Sequence, residues 1–179
     1  GAAVSTLTLN GAGINSITTL NMGSNTISGA SAANDTVELS ATKATLNHGG
    51  TATTTIGALN MGVNSATVTG NTTTALSIIN VSGGSLSVTG NIVMGNTTAQ
   101  ANNVATADIN ITGGTLTVGG NIQYTNGVGV ETNTITLNGG TLDMTAGNIG
   151  GAGALISFNA QSGTLQNLAQ LNNGAGLTK

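Results

Sequence analysis

Six times along this chain the same short unit returns. Residues 79–92 (INVSGGSLSVTGNI), 109–122 (INITGGTLTVGGNI) and 135–149 (ITLNGGTLDMTAGNI) align directly, the last one residue longer. Weaker copies begin at Leu9 (LNGAGINSITTLNMG) and Leu46 (LNHGGTATTTIGALNMG), and a sixth spans 158–167 (FNAQSGTLQN). A unit this small cannot bury an apolar face alone, so neighbouring units must stack. The second glycine of each turn, at Gly13, Gly50, Gly84, Gly114, Gly140 and Gly163, gives spacings of 37, 34, 30, 26 and 23 residues. Nearly all of the shortening falls between a Gly-Asn turn and the next first strand, as in 93–108 against 124–134. That stretch reads as a loop or lateral excursion on a constant scaffold.

Within a unit the period is two. Ile109 and Ile111 alternate with Asp108, Asn110 and Thr112; Leu116 and Val118 alternate with Thr115 and Thr117; Ile122 and Tyr124 flank Gln123. Strict alternation over short runs marks strands with one buried face, and β-branched residues favour the same state. Gly113-Gly114 and Gly120-Asn121 supply corners with positive φ. Each unit therefore reads strand, corner, strand, corner, strand, loop. Stacked in register, the units place Ile on Ile, Gly on Gly and Asn on Asn, with Asn91, Asn121 and Asn148 forming a ladder of side-chain amides. The fold expected is all-β: a parallel β-helix, taken as right-handed, of about six three-strand coils with variable loops, and residues 1–179 form one solenoid domain. The absence of proline agrees, because strands paired on both sides need every N–H.

Composition narrows function by exclusion. The 179 residues include 29 Gly, 32 Thr, 24 Asn and 13 Ser, with no Cys and no Pro. Without thiols there is no disulfide framework and no cysteine-based zinc site. Two lysines and no arginine cannot neutralise a phosphate backbone, so nucleic acid is not an expected partner. Apolar stretches such as Gly153-Ala154-Leu155-Ile156 fall far short of the ~20 residues of a spanning helix. Disorder pairs low hydrophobicity with high net charge, whereas mean hydropathy is +0.22 and net charge −3. The chain opens Gly1-Ala2-Ala3 with no Met and no apolar signal core, and reads as part of a longer or processed polypeptide.

The segments ITLNGGTLDM (135–144), INITGGTLTV (109–118) and FNAQSGTLQN (158–167), with the closing NNGAGLTK (172–179), resemble the autotransporter-associated β-strand repeat proteins of bacteria. The resemblance implies a large, secreted or surface-displayed β-helix. It also implies that Gly176-Leu177-Thr178-Lys179 leads into a further repeat.

No residue set stands out as chemistry. Parallel β-helices that cleave polysaccharides need clustered carboxylates and a cation. The acids are Asp35, Glu38, Asp108, Glu131 and Asp143, with Lys43 the only internal cation. Asp35 and Glu38 read as a solvated pair on an excursion, and Asp108 and Asp143 as outward residues on different faces. His48, in Asn47-His48-Gly49-Gly50, reads as a turn residue, since a lone His without Cys or carboxylates is a poor metal site. Gly-rich 147–153 lacks the spacing and lysine of a phosphate cradle. Met22, Met61, Met94 and Met144 read as core fillers. No catalytic, cofactor-binding or metal-ligating residue is therefore assigned, no cofactor is implied, and the chain is not expected to be an enzyme.

The expected role is structural: a subunit or stalk segment of an extracellular or cell-surface bacterial fibre or adhesin, held by coil-on-coil stacking. Its partner is itself, as a head-to-tail homopolymer or as adjacent repeats of one chain. The alternative is a surface module that contacts carbohydrate, a cell surface or ice. It would use loops at 28–35 and 99–107 and the Thr-x-Thr-like elements 6–8, 67–69, 85–87 (Ser-Leu-Ser), 115–117 and 134–136. Those elements fall on different strands, and Tyr124 and Phe158 are the only aromatics for a sugar platform.

Overall fold

The computed structural model describes residues 4–23, 42–68 and 72–174. Coil 1 holds β1 (Val4–Leu9) and β2 (Ile14–Met22); coil 2 holds β3 (Thr42–His48), β4 (Thr53–Met61) and β5 (Val63–Asn64). Coil 3 holds β6 (Thr73–Val88), β7 (Ile92–Val93) and β8 (Asn96–Thr97), and coil 4 holds β9 (Asn103–Val118) and β10 (Ile122–Gln123). β11 (Val130–Asp143) and β12 (Asn148–Ile149) make coil 5; β13 (Ser157–Gln166) and β14 (Gln170–Leu171) make coil 6, followed by a 3₁₀ turn at Asn172–Gly174. All pairings between these strands are parallel, as a stack of coils requires. The strands β6, β9, β11 and β13 each bend through the first corner, so one strand serves two faces.

Alternation sets the interior. On the first face Leu7, Leu46, Ile79, Ile109, Ile135 and Phe158 form one inward file up the stack. On the second, Leu86, Leu116, Leu142 and Leu165 do so, and on the third Leu20, Leu59, Ile92, Ile122, Ile149 and Leu171. Side chains of the middle coils in these files are fully buried. Met22, Met61, Met94 and Met144 are buried among them, as gap-fillers should be.

The first corner differs from the expected alignment. Pairing fixes Leu9 against His48 and Ile14 against Thr53, so corners 1 and 2 each hold four residues, whereas the corner of coil 3 holds three. Gly50 therefore aligns with Gly11, and Ala52 takes the place that Gly84 and Gly114 fill above it. Strand starts on the second face, at Ile14, Thr53, Ser85, Thr115, Thr141 and Thr164, are spaced 39, 32, 30, 26 and 23 residues apart. The shortening is retained under the corrected register.

Positive φ at Gly84 (+68°) and Gly114 (+64°) turns the first corner as expected. The second corner of coils 3 and 4 does not use it, whereas that of coil 5 does at Thr145 and Ala146. In coil 4, Gly119 and Gly120 stand at this corner because a Cβ would run into Thr89 O and Asn91 Oδ1 of the coil below.

The 93–108 stretch is largely not a loop. Residues 103–107 belong to β9 and pair with 73–77 of β6, while β5 and β8 form a short extra ladder beside the triangle. Asn64, Thr73, Thr97 and Asn103 are fully buried there with Ala66. The longer coils thus carry a packed lateral lobe, which the shorter coils lack.

Candidate functional site

His48 is not a turn residue. It ends β3 facing inward, in line with Val81, and is fully buried. Its Nδ1 lies 3.0 Å from Gly83 O and its Nε2 lies 3.2 Å from Thr54 Oγ1. A carbonyl only accepts, so Nδ1 carries the proton and Nε2 accepts from the Thr54 hydroxyl. Thr54 Oγ1 in turn accepts from Asn15 Nδ2 at 3.2 Å. The ring is a satisfied structural group in a closed chain of hydrogen bonds.

The three described acids are dispersed. Asp108 sits outward on the first face between Ile78 and Thr134, and burial raises its carboxyl above the usual range despite a hydrogen bond from Thr134. Asp143 sits outward on the second face. Hydrogen bonds from Asn167, Gln166 and the Thr145 N–H hold it below the usual range. Those donors pin the left-handed corner at Thr145 (φ 49°) and Ala146 (φ 81°). Glu131 closes the lateral lobe: its Oε1 accepts from the Thr97 hydroxyl, from Thr97 N at 3.1 Å and from Gly127 N at 3.1 Å. Asp35 and Glu38 lie outside the described residues. Among the described residues no three His, Cys, Asp or Glu side chains gather where a metal ion could be held. Tyr124 and Phe158 pack against the core instead of forming an open platform.

The lobe interior is polar and its Asn64, Thr73 and Asn103 are satisfied, while at its margin Asn133 donates through Nδ2 to Gly95 O (3.2 Å) and leaves Oδ1 buried without a partner. Asn64 Nδ2 donates to Thr73 O (2.8 Å) and Val104 O (2.9 Å), Asn103 Nδ2 to Ala66 O (2.9 Å), and Thr73 Oγ1 to Asn103 Oδ1 (2.7 Å). Of the expected 99–107 contact loop, 103–107 are thus part of β9, with Asn103, Ala105 and Ala107 buried. The 28–35 loop lies outside the described residues.

Outward residues form the second set of features. A side-chain amide ladder exists, but at other asparagines than expected: Asn110 Nδ2 donates to Asn80 Oδ1 (3.0 Å) and Asn80 Nδ2 to Asn47 Oδ1 (2.8 Å). At the second corner the amide oxygens cap backbone instead, Asn91 Oδ1 accepting from Asn121 N (2.8 Å) and Asn121 Oδ1 from Asn148 N (2.9 Å). The Thr-x-Thr-like elements at 6–8 and 134–136 do fall on the first face, and those at 85–87 and 115–117 on the second. The second face is more regular than its sequence suggested, since Thr53, Ser85, Thr115, Thr141 and Thr164 form one aligned file. Residues 53–55 had escaped notice because Thr54, the inward member, is itself polar.

The two ends of the stack are the third feature. β1 pairs only with β3, and β13 only with β11, among the described residues, leaving one side of each strand open. Neither 4–22 nor 157–174 contains a charged residue. At coil 1 a hollow of about 150 Å³ opens on the core, lined by Leu7, Leu20, Met22, Ala44 and Leu46 with polar 5–6, Asn21 and Thr45 at its margin.

No family model, no curated protein and no solved structure matches the chain.

Proposed function

We propose that the chain is a structural segment of an extracellular bacterial fibre or adhesin stalk, a rod whose working surfaces are its coil edges. The observation that carries this reading is the pair of edges at coils 1 and 6, unpaired and uncharged among the described residues. Proteins that must not polymerise guard such edges with lysine, proline, bulges or covering loops. The dispersed acids and the satisfied His48 and Glu131 support a scaffold in preference to an enzyme. Antibodies raised against the chain test the role on intact cells of the source organism. Label along surface filaments is expected; label confined to the cell interior would overturn the reading.

The aligned hydroxyl file on the second face favours a second reading, a surface module for ice or carbohydrate. Inhibition of ice recrystallisation, or retention on insoluble polysaccharide, that is lost in Thr115→Tyr would put this reading first.

A further inference from the structure

We infer that the open faces of coils 6 and 1 are complementary, so that two copies of this chain join head to tail with coil 6 of one continuing the parallel register into coil 1 of the next. This rests on the structural reading above and names its partner as a second copy of the same chain.

Three observations carry it. The first is continuity of the inward files. Phe158 and Leu7 end the same file of the first face, Ala160 and Leu9 another, and Leu171 and Leu20 that of the third. Laying coil 6 against the coil 1 of a second copy closes each file apolar on apolar, and it sets Phe158 over the hollow beside Leu7. Two inward positions of coil 1 are polar: Ser5, below Ala44, and Asn15, which would meet Leu165 and already donates to Thr54 within its own chain. The second is charge: every charged side chain among the described residues, namely Lys43, Asp108, Glu131 and Asp143, lies in coils 2–5, so no described residue of coil 1 or coil 6 brings a charge to the junction.

The third is a glycine of coil 1. A Cβ on Gly50 would collide with Asn10 O, one on Gly84 with Ala52 O, and one on Gly114 would lie 2.5 Å from Gly83 C. In each case the obstacle is the backbone of the coil below. Gly11 holds in coil 1 the place that Gly50 holds in coil 2, yet nothing lies within 4 Å of a Cβ built on it. At that place coil 1 keeps the small residue that a coil beneath it requires of coil 2, on the side where no described residue of its own chain lies.

The chain contains no cysteine, so disulfide trapping reads the junction directly. Thr8 and Asn159 share one outward file. Across an in-register junction their Cα atoms would be about 4.8 Å apart, inside the span that a disulfide bridges. Full-length chain carrying Thr8→Cys and Asn159→Cys is expected to oxidise to a ladder of multimers, and the offset pair Thr6→Cys with Asn159→Cys to give at least about tenfold less. Leu7→Lys, an inward-pointing charge on an open edge, is expected to suppress association without cysteines, its folding checked by circular dichroism. Chain that stays monomeric at high concentration, equal yields from both cysteine pairs, or association indifferent to Leu7→Lys would overturn the junction. The last two outcomes would assign the edge to another segment or the contact to another surface. Surface fibres without this ladder would overturn the junction alone. The ladder without surface fibres would overturn the role alone.

Discussion

At the scale of single residues, the stack is governed by what lies one coil below. Gly114 combines positive φ with a backbone neighbour that leaves no room for Cβ. Gly114→Ala is therefore expected to lower unfolding free energy by roughly 2 kcal/mol or more, since left-handed backbone alone disfavours alanine by ~1–2 kcal/mol. Gly151→Ala, with open space around it, is the near-neutral control, and urea unfolding measures both. His48 and Thr54 permit a sharper test, because the coil above holds Val81 and Leu86 in their places. Thr54→Val strands one ring nitrogen and is expected to cost about 1–3 kcal/mol. The double change His48→Val with Thr54→Leu, which copies coil 3, is expected to recover most of that loss. The two outward aspartates give opposite pH responses. Asp143 has its folded pKa below the unfolded value near 3.8, so its contribution is present above that pH and lost as pH falls through the folded value. Asp108 has its folded pKa raised, so it destabilises at neutral pH and relatively stabilises once protonated. Asp108→Asn is expected to raise the neutral-pH Tm, whereas Asp143→Asn is expected to flatten the acid-side loss seen by thermal melts.

At the scale of strands and coils, protection follows from how many neighbours a strand has. β6, β9 and β11 are hydrogen-bonded on both sides, whereas β1 and β13 have one partner each among the described residues. Hydrogen exchange on dispersed single chains is expected to be slowest in β6, β9 and β11 and fastest in β1 and β13. Equal protection throughout would mean that the ends are covered. This scale also shows where the sequence was readable. Period two, the six units and the inward Ile, Leu and Met files were legible because hydropathy alternates along most of these strands. The lateral lobe was not. Its inward residues are Asn64, Thr73 and Asn103, whose amide and hydroxyl groups are satisfied by backbone carbonyls and by each other, so burial left no apolar trace. His48 escaped for the same reason, as its partner Thr54 lies six residues away across a corner. The corner alignment failed at coil 2 because Gly49-Gly50 mimics Gly83-Gly84, although its corner is one residue longer. The asparagine ladder was right in kind and wrong in place. An amide on a straight strand reaches the amide one coil below, as at Asn47, Asn80 and Asn110, whereas at a bend the nearer donor is the backbone N–H.

For the whole molecule, six layers at about 4.8 Å make a rod only ~30 Å tall. So short a solenoid has a large share of its core facing its two ends, and neither end coil carries a charged side chain among the described residues. Head-to-tail contacts of this kind do not close, so they build filaments instead of rings or dimers. Cryo-electron microscopy of the material purified from its source tests this most directly. The expected result is filaments with strands perpendicular to the axis, an axial layer spacing of about 4.8 Å that runs unbroken through the subunit boundary, and a subunit repeat near 30 Å or a small multiple of it. Discrete compact particles, or filaments whose strands run along the axis, would contradict it.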